Sequence, residues 1–383
     1  MPSKRSEKGM EFIMKETLYY KNNYLYEFRA KVLDCIEENG LYKIVLDDTA
    51  FYPEGGGQNA DTGFLDNKEV IDVQEKNEII YHTLKEPIEI GKEVFGKIDF
   101  ETRFSNMQHH TAEHIVSGLV RKKYQAENVG FHMGKDAVTM DFNVLLNKKQ
   151  IEEIEIMANE AVYKNIDVIA KVYSEEEVKK LQYRSKKQLS GSVRIVEIPG
   201  YDICACCGIH VSKTGEIGTI KLLSVQKYKS GCRVRLLCGK KALENYNEVY
   251  SQLDKTAVLL SSKHDDVFKN TNELLNKNKE LQAQITQLKL KIFDMEINKI
   301  KESKNQFLIE ENLMPNEMKM LCTKLQDKAE DVAGVFSKDN DVYRFQIMSK
   351  TTKLKEIAKE LTKTYNGKGG RKRKLHTGTI IFR

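Results

Sequence analysis

Two motifs that carry histidine and cysteine, far apart in the chain, restrict its possible folds more than any other feature. His110 and His114 form an HxxxH pair, and Cys206 and His210 form a CxxxH pair much further along. Residues at i and i+4 of a helix share a face, so the first two histidines can bind one ion together. Three imidazoles and one thiolate complete a tetrahedral Zn²⁺ site. The sequence therefore predicts a fold that brings both pairs to one zinc ion.

Two other interpretations of these motifs stay open at this stage. A closed structural zinc site is the first, although such sites usually take their ligands from two compact knuckles. A zinc peptidase is the second and the poorer one, because its HExxH motif needs Glu directly after the first His, where this chain has Thr111. Glu113 is expected to point away from the ligand face. His109 is expected at the surface or behind the ligands.

Composition predicts a cytoplasmic protein with reduced thiols. The 383 residues suffice for two to four domains, and no apolar run approaches the ~20 residues that a membrane span needs. The N-terminus has no secretory signal, and seven cysteines are an odd number for a disulfide framework. Cys204 and Cys207 lie beside Cys206. We interpret both as packing residues, with alternative metal ligands or thiols behind the ligands as the other options.

The positive charge is concentrated at the C-terminal end. The net charge is +6, and residues 361–383 carry seven Lys or Arg and no Asp or Glu. A basic element on a nearly neutral body suits a polyanion such as nucleic acid. A solvated lysine-rich tail would give the same pattern.

Hydrophobic periodicity predicts an α+β fold in four parts. Residues 17–105 alternate like short strands and predict a small β-barrel. Residues 106–240 mix helices and strands around the two metal motifs. Residues 241–303 carry an apolar heptad series, which we interpret as two helices, in a hairpin or a coiled-coil linker, because a helix-start signal interrupts it. Residues 304–383 predict a small α/β domain that ends in a Gly-rich basic loop.

A glycine-rich loop follows the second predicted strand. Gly55, Gly56 and Gly57 are consecutive, and Gln58 comes next. Glycines allow positive φ and let backbone approach a ligand closely, while an amide side chain both donates and accepts. The loop lacks the Lys-Ser/Thr of a P-loop, so it does not predict nucleotide triphosphate binding.

The motifs together resemble the alanyl-tRNA editing family, which comprises the editing domain of alanyl-tRNA synthetase and its free-standing AlaX relatives. The resemblance covers about residues 17–383. It rests on the two metal motifs and on three further segments: residues 51–58 (FYPEGGGQ), 129–134 (VGFHMG) and 229–239 (KSGCRVRLLCG). The C-terminal helices and Gly367–Gly370 resemble the long AlaX form. With no aminoacylation domain expected ahead of the barrel, the resemblance implies a trans-editing factor.

The resemblance implies hydrolysis of tRNA(Ala) mischarged with serine, and also with glycine. It implies that His110, His114, Cys206 and His210 hold zinc, and that Gln58, Gly56 and Gly57 line the aminoacyl-adenosine pocket. Thr49 is then a candidate partner for the seryl hydroxyl. The relatives commonly have Cys-Gly-Gly-x-His, whereas Cys207 replaces the first of those glycines here.

Several questions stay open at the sequence level. His132 and Glu54 are weak candidates for a general base. The alternative function is a non-catalytic tRNA-binding protein with a structural zinc. A homodimer through the helical region is also expected, unless that region packs on itself.

Overall fold

The computed structural model describes residues 17–185, 191–339, 342–350, 354–365, 367–372 and 375–381. Its fold is mixed α+β, as the sequence predicts. The chain divides after Ser251 into two compact units. No described helix is both long enough and apolar enough to cross a membrane.

A closed six-stranded barrel, which the alternating sequence predicts, begins the first unit. The strands follow each other around it in the order β1-β2-β5-β4-β3-β6. Buried and exposed residues alternate in β1 and β6, so one face of each strand fills the interior. A short helix, α1 (Leu18–Lys21), precedes the barrel. Its strands are β1 (Glu27–Glu38), β2 (Leu41–Leu46), β3 (Gly63–Leu65), β4 (Lys68–Lys76), β5 (Ile79–Leu84) and β6 (Glu93–Ile98).

A long helix and two small sheets form the rest of the first unit. Helix α2 (Phe100–Tyr124) begins after Asp99, whose side chain accepts a hydrogen bond from the Thr102 amide. The two sheets have the strand orders β12-β13-β8-β7 and β11-β10-β9. The remaining elements are β7 (Asn128–Met133), β8 (Val138–Phe142), α3 (Lys148–Lys164), β9 (Ile169–Tyr173), α4 (Glu175–Val178), β10 (Val193–Ile198), β11 (Asp202–Ala205), a 3₁₀ turn (Thr214–Ile217), β12 (Ile220–Tyr228) and β13 (Gly231–Cys238).

A buried arginine ties α2 to the barrel. Arg103 is completely buried, and its Nε lies 3.1 Å from a carboxylate oxygen of Asp61. The same guanidinium donates to the carbonyls of Leu25, at 3.0 Å, and of Ala50. Because Asp61 follows the glycine-rich loop closely in sequence, this ion pair holds that loop against the helix that carries the HxxxH pair.

The second unit contains a long helix and a five-stranded sheet. Its strand order is β14-β15-β16-β18-β17, and β14 and β15 are parallel. Helix α7 connects these two strands, as a parallel pair requires. Helix α5 (Gly239–Leu259) crosses the division between the units and is followed by a 3₁₀ turn (His264–Asp266). The other elements are α6 (Val267–Lys299), β14 (Ser303–Glu311), α7 (Pro315–Gln326), β15 (Ala329–Asp339), β16 (Val342–Ser349), α8 (Leu354–Thr364), β17 (Lys368–Lys372) and β18 (Leu375–Ile381).

The predicted break in the helical region is confirmed, since α5 and α6 are separate helices. Two local predictions need correction. The spacing of Ser174 and Glu177 predicts a capped helix over Ser174–Leu181; the capping box is present, with the Ser174 amide donating to Glu177 at 2.8 Å, but the helix is a single turn. Most of the expected Gly-rich loop, 367–374, is strand β17, because pairing with β18 overrides the turn preference of its glycines. Residues 373 and 374 lie outside the described residues.

Gly63 stands where strand β3 closely approaches the backbone of β6. Its φ is +154°, and a Cβ atom there would lie 2.2 Å from the Lys97 carbonyl oxygen. We expect Gly63→Ala to lower the free energy of unfolding by about 3 kcal/mol, because backbone must move to admit the methyl group. The measurement is urea unfolding followed by circular dichroism.

Gly40→Ala is the matched control for that substitution. Gly40 also has positive φ, at +76°, but nothing lies within 4 Å of its Cβ position. We expect Gly40→Ala to lower the free energy of unfolding by only about 1 kcal/mol, which is the strain of a left-handed backbone at a residue with a side chain. Equal losses at the two positions would contradict the steric argument.

Candidate metal centre

The two halves of the site come from α2 and from the loop that follows β11. Helix α2 buries His110 and His114 one turn apart on one face. The loop carries Cys206 and His210 across to that face. Gly208 makes the approach possible, because a Cβ atom there would lie 2.0 Å from Cε1 of His110. A residue with a side chain at position 208 would force the loop away from the helix.

The four side chains converge on one point. Their ligand atoms all lie within 4.8 Å of one another. The Cys206 Sγ atom is 3.5 Å from Nε2 of His110 and 3.6 Å from Nε2 of His210. A tetrahedral zinc ion with ordinary bond lengths separates a sulfur and a nitrogen ligand by about 3.6 Å. The donor set and its spacing therefore fit zinc.

Contacts on the far side of two imidazoles orient their Nε2 atoms. Nδ1 of His110 lies 2.7 Å from Oε1 of Gln58, which also accepts from the Ile209 amide at 3.3 Å. Nδ1 of His114 lies 2.9 Å from a carboxylate oxygen of Asp202, which is an ion-pair distance without the alignment of a hydrogen bond. Because both oxygens are acceptors, each Nδ1 carries a proton, and Nε2 is the atom of each ring that can bind a metal.

His210 has the same arrangement with a hydroxyl group. The Thr111 hydroxyl donates to the Met107 carbonyl at 2.8 Å, and it lies 3.2 Å from Nδ1 of His210. Since its only proton is used on Met107, Thr111 must accept from His210. Nε2 of His110 and Nε2 of His210 both lie beside the Cys206 thiol.

Electrostatics at the site favours a thiolate. Burial opposes the charged form of Cys206, but His110 and His114 outweigh it and hold the pKa of this thiol well below its ordinary value. Burial also disfavours charge on His114, yet Asp202 and Cys206 raise the pKa of this imidazole to about 9. For His210, burial and the neighbouring His110 lower the pKa to about 3, which keeps it neutral. A thiolate and a neutral imidazole are the forms that bind metal.

A cavity of about 520 Å³ opens beside these ligands. This volume lies within the range of small-molecule sites. Its walls include Gly56 and Gly57 of the glycine-rich loop, Phe131 of β7, and Arg184. Phe131 stacks on the His110 ring with centroids 5.0 Å apart, and a Cβ atom on Gly57 would lie 2.6 Å from the Phe131 ring. The predicted glycine loop and the metal motifs thus meet at one cavity.

Gln58 and Thr49 have different surroundings. Gln58 is fully buried, and its Nε2 donor has no partner among the described residues. The Thr49 hydroxyl lies inside the barrel, 2.9 Å from Nε2 of His82, and accepts from the Phe51 amide. Thr49 is not among the described residues that line the cavity.

The neighbours of the metal motifs differ partly from expectation. His109 is buried, not at the surface: its Nδ1 contacts the Ser105 carbonyl and its Nε2 accepts from the Cys238 amide. Cys204 is buried, and burial raises the pKa of its thiol. The Cys207 side chain is exposed, which explains why this position accepts a residue larger than glycine.

The two weak candidates for a general base lie on the protein surface. Both His132, on β7, and Glu54 are exposed. The Glu54 carboxylate accepts a hydrogen bond from Gln74 of the barrel at 2.9 Å.

Asp202 and Arg184 belong to none of the sequence motifs. Arg184 forms a two-pronged ion pair with Asp202, at 2.7 and 2.8 Å, and lies 3.5 Å from the Glu113 carboxylate. Glu113 is buried and faces this arginine. The one available signal was a carboxylate four residues before Cys206.

Two family models match parts of this chain, and several known proteins are similar to it. Residues 193–235 match the family model described as the threonyl and alanyl tRNA synthetase second additional domain, and residues 5–102 match that of class II (A) tRNA synthetases. An alanine–tRNA ligase of Saccharolobus islandicus is 31% identical over 91% of this chain, which spans 40% of that ligase. A ligase of Ignicoccus hospitalis is 32% identical over 69% of this chain and 29% of its own length.

A free-standing protein matches along most of both chains. The alanyl-tRNA editing protein AlaX-L of Pyrococcus horikoshii is 33% identical over 73% of this chain and 72% of its own length. Its level of identity and its coverage, together with the motifs assembled around the cavity, establish the relationship. This chain belongs to the AlaX family of alanyl-tRNA editing proteins.

Proposed function

We propose that this chain is a trans-editing hydrolase that deacylates mischarged tRNA(Ala), mainly with serine and also with glycine. Water adds to the ester carbonyl, the bond to the terminal ribose oxygen breaks, and free amino acid and tRNA leave. The observation that carries the proposal is the cavity that joins the glycine-rich loop to the four converging ligands. Family membership supports the same reaction. We expect it to occur in the cytoplasm.

We propose that His110, His114, Cys206 and His210 hold Zn²⁺. The match between their separations and those of a tetrahedral site supports this, as do the three Nδ1 contacts, which leave Nε2 as the metal-binding atom of each ring. When bound, the ion supplies a Lewis acid that can polarise an ester carbonyl or fix polar substrate groups.

Gln58 is the chain's own candidate for stabilising the reacting ester. Its Oε1 is used by His110 and Ile209, which orients the amide. Its Nε2 is a buried donor without a partner among the described residues, a costly state unless a ligand or water accepts from it. Donors already positioned for a developing negative charge are a large source of catalysis in acyl transfer. The backbone of Gly56 and Gly57 borders the same space.

Thr49 remains our candidate contact for the seryl hydroxyl. Burial lowers the pKa of His82 to about 4, so this imidazole is neutral. Its Nδ1 donates to the Ile44 carbonyl, so its Nε2 accepts from Thr49. The Thr49 oxygen has two lone pairs, and one of them accepts from the Phe51 amide. The other lone pair is left for a substrate hydroxyl. A contact of this kind would disfavour alanine.

The alternative is a non-catalytic tRNA-binding protein with a structural zinc. A structural site needs no substrate cavity beside the metal, and membership of an editing family favours the enzyme. Both functions predict tRNA(Ala) as the partner.

We propose that the chain has four domains, which comprise residues 17–105, 106–240, 241–303 and 304–383.

A homodimer through α6 is a further proposal. One face of this helix packs Phe293 and Ile297 into the core of the second unit. Another face exposes an apolar heptad series that includes Leu274, Leu281 and Leu288, which are 45–59% exposed. Such a stripe is typical of a seam between two helices.

Replacement of Gly208 tests the metal site. Gly208→Ala should weaken zinc binding by about 10–100-fold, because the methyl group pushes Cys206 and His210 away from His110. Zinc affinity is measured by competition with a chromophoric chelator. Gly200→Ala, where nothing lies within 4 Å of the Cβ position, should bind zinc normally. A wild-type protein without zinc affinity would contradict the site.

Deacylation of Ser-tRNA(Ala), with Ala-tRNA(Ala) alongside, tests the reaction. Wild type should release serine much faster than alanine, and His110→Ala should abolish this. Gln58→Glu keeps an acceptor for His110 but loses the donor, so kcat should fall about 10²–10³-fold with zinc retained.

Gln150→Glu is the matched control for the Gln58 change, because Glu also completes the capping box of α3. A zinc-loaded, tRNA-binding wild type that hydrolyses neither substrate would favour the non-catalytic alternative.

Charge placed in the α6 stripe tests the dimer. Sedimentation of the wild type should give twice the chain mass, and Leu281→Glu with Leu288→Glu should give the monomer, since buried unpaired charges oppose association. Lys279→Glu, an exposed change outside the series, should stay dimeric. A monomeric wild type would rule the proposal out.

A further inference from the structure

A buried ion pair stands directly behind His114. Arg184 and Asp202 are each 7% exposed, and their side chains meet through two parallel contacts, Nε to Oδ1 at 2.7 Å and Nη2 to Oδ2 at 2.8 Å. Oδ2 of Asp202 is also the atom 2.9 Å from Nδ1 of His114. One carboxylate therefore connects the arginine to the imidazole.

The backbone holds Arg184 in place beside Asp202. Its amide donates to the Ile203 carbonyl at 2.9 Å, and its own carbonyl accepts from the Ala205 amide at 3.0 Å. These bonds place Arg184 along the edge of β11, the strand that contains Asp202. The guanidinium thus reaches its partner from a fixed position.

Gly118 lets this strand approach α2. It lies one helical turn after His114, and a Cβ atom there would be 2.2 Å from the Tyr201 carbonyl oxygen and 2.9 Å from Cβ of Asp202. Any larger residue would separate Asp202 from the helix. The contact between Asp202 and His114 therefore depends on the close approach of β11 to α2, which the glycine at position 118 makes possible.

His114 differs from the other two histidines in the charge of its partner. His110 and His210 contact neutral groups, an amide and a hydroxyl, whereas His114 contacts a carboxylate. A carboxylate behind an imidazole orients the ring and makes it a better donor to a metal. A buried carboxylate needs a fixed cation to keep one orientation, and the forked guanidinium of Arg184 supplies it.

We propose that Arg184 is a positioning residue that acts through Asp202 to hold His114 for the metal. The inference rests on the metal site of the proposed function. Neither Arg184 nor Asp202 belongs to the four-ligand set. Arg184 and Asp202 instead influence the affinity of the four ligands for the ion and the geometry in which they bind it.

The experiment is a double-mutant cycle read by metal binding. The full chain is stripped of metal and titrated with Co²⁺ and, separately, with Zn²⁺, for wild type, Asp202→Ala, Arg184→Ala and the double variant. Asp202→Ala should weaken Zn²⁺ binding about 10–100-fold and change the visible Co²⁺ spectrum. Arg184→Ala should act in the same direction. The double variant should be no worse than Asp202→Ala alone, because the arginine acts through the carboxylate.

Asp141 and Arg233 provide a matched control. They form the same two-pronged pair, at 2.6 and 2.8 Å, on a sheet outside the four-ligand set. Asp141→Ala should leave the Co²⁺ spectrum and Zn²⁺ affinity unchanged. Circular dichroism checks folding of every variant. If Arg184→Ala does not fold, Arg184→Lys and Asp202→Asn carry the cycle, each with an intermediate loss.

Each outcome of the cycle supports or overturns the inference. An unchanged Co²⁺ spectrum and Zn²⁺ affinity in Asp202→Ala would overturn it. It would also be overturned if Arg184→Ala weakened Zn²⁺ binding by the same factor in the wild type and in the Asp202→Ala variant. A wild type that binds neither ion would overturn the metal site as well. Metal binding by the wild type therefore separates failure of this inference from failure of the proposed site.

Discussion

The ion pair between Arg103 and Asp61 joins two of the elements that build the site, α2 and the glycine-rich loop. Arg103 belongs to the first turn of α2, and its guanidinium binds Asp61 and the carbonyls of Leu25 and Ala50. A fully buried guanidinium is stable only when its donors are used in this way. The helix with the HxxxH pair and the loop with Gln58 consequently occupy fixed relative positions.

The second constraint is steric and lies beside the His110 ring, on the edge that Gln58 also contacts. Gly208 packs against the imidazole so closely that no side chain fits between them. The helix, the barrel loop and the cysteine loop thus meet around one ring: Gln58 contacts its Nδ1, Phe131 its face, and Cys206 its Nε2. Each contact comes from a different element, so the site depends on tertiary packing throughout.

The editing function proposed for this chain places unequal demands on its residues. Nδ1 of His110 and Nδ1 of His210 each contact a hydrogen-bond acceptor, which orients these two rings. Among the described residues, the buried donors at the site without an aligned hydrogen bond are Nε2 of Gln58 and Nδ1 of His114, and the latter has its ion-pair contact with Asp202. An unsatisfied donor is expensive in a folded protein, and such exceptions are expected where a substrate completes the structure.

Sequence patterns were informative where local physics decides the outcome. Alternation of apolar residues predicted the barrel, and a helix-start signal within the apolar heptad series predicted the α5–α6 break. Strand β11 was missed because its four residues are too short to show a period. The C-terminal glycines were assigned to a loop because glycine has a low strand propensity, which antiparallel pairing with the neighbouring strand β18 overrides.

The sequence by itself determined the set of donors, the fold class and the family resemblance, since residue identity and spacing suffice for these. Only the tertiary structure decided what stands behind each histidine. Gln58, Thr111 and Asp202 come from separate parts of the chain, and Arg184 carries no motif at all. Hydrogen bonds of this kind depend on distances between elements, and these are set by close approaches such as those at Gly118 and Gly208.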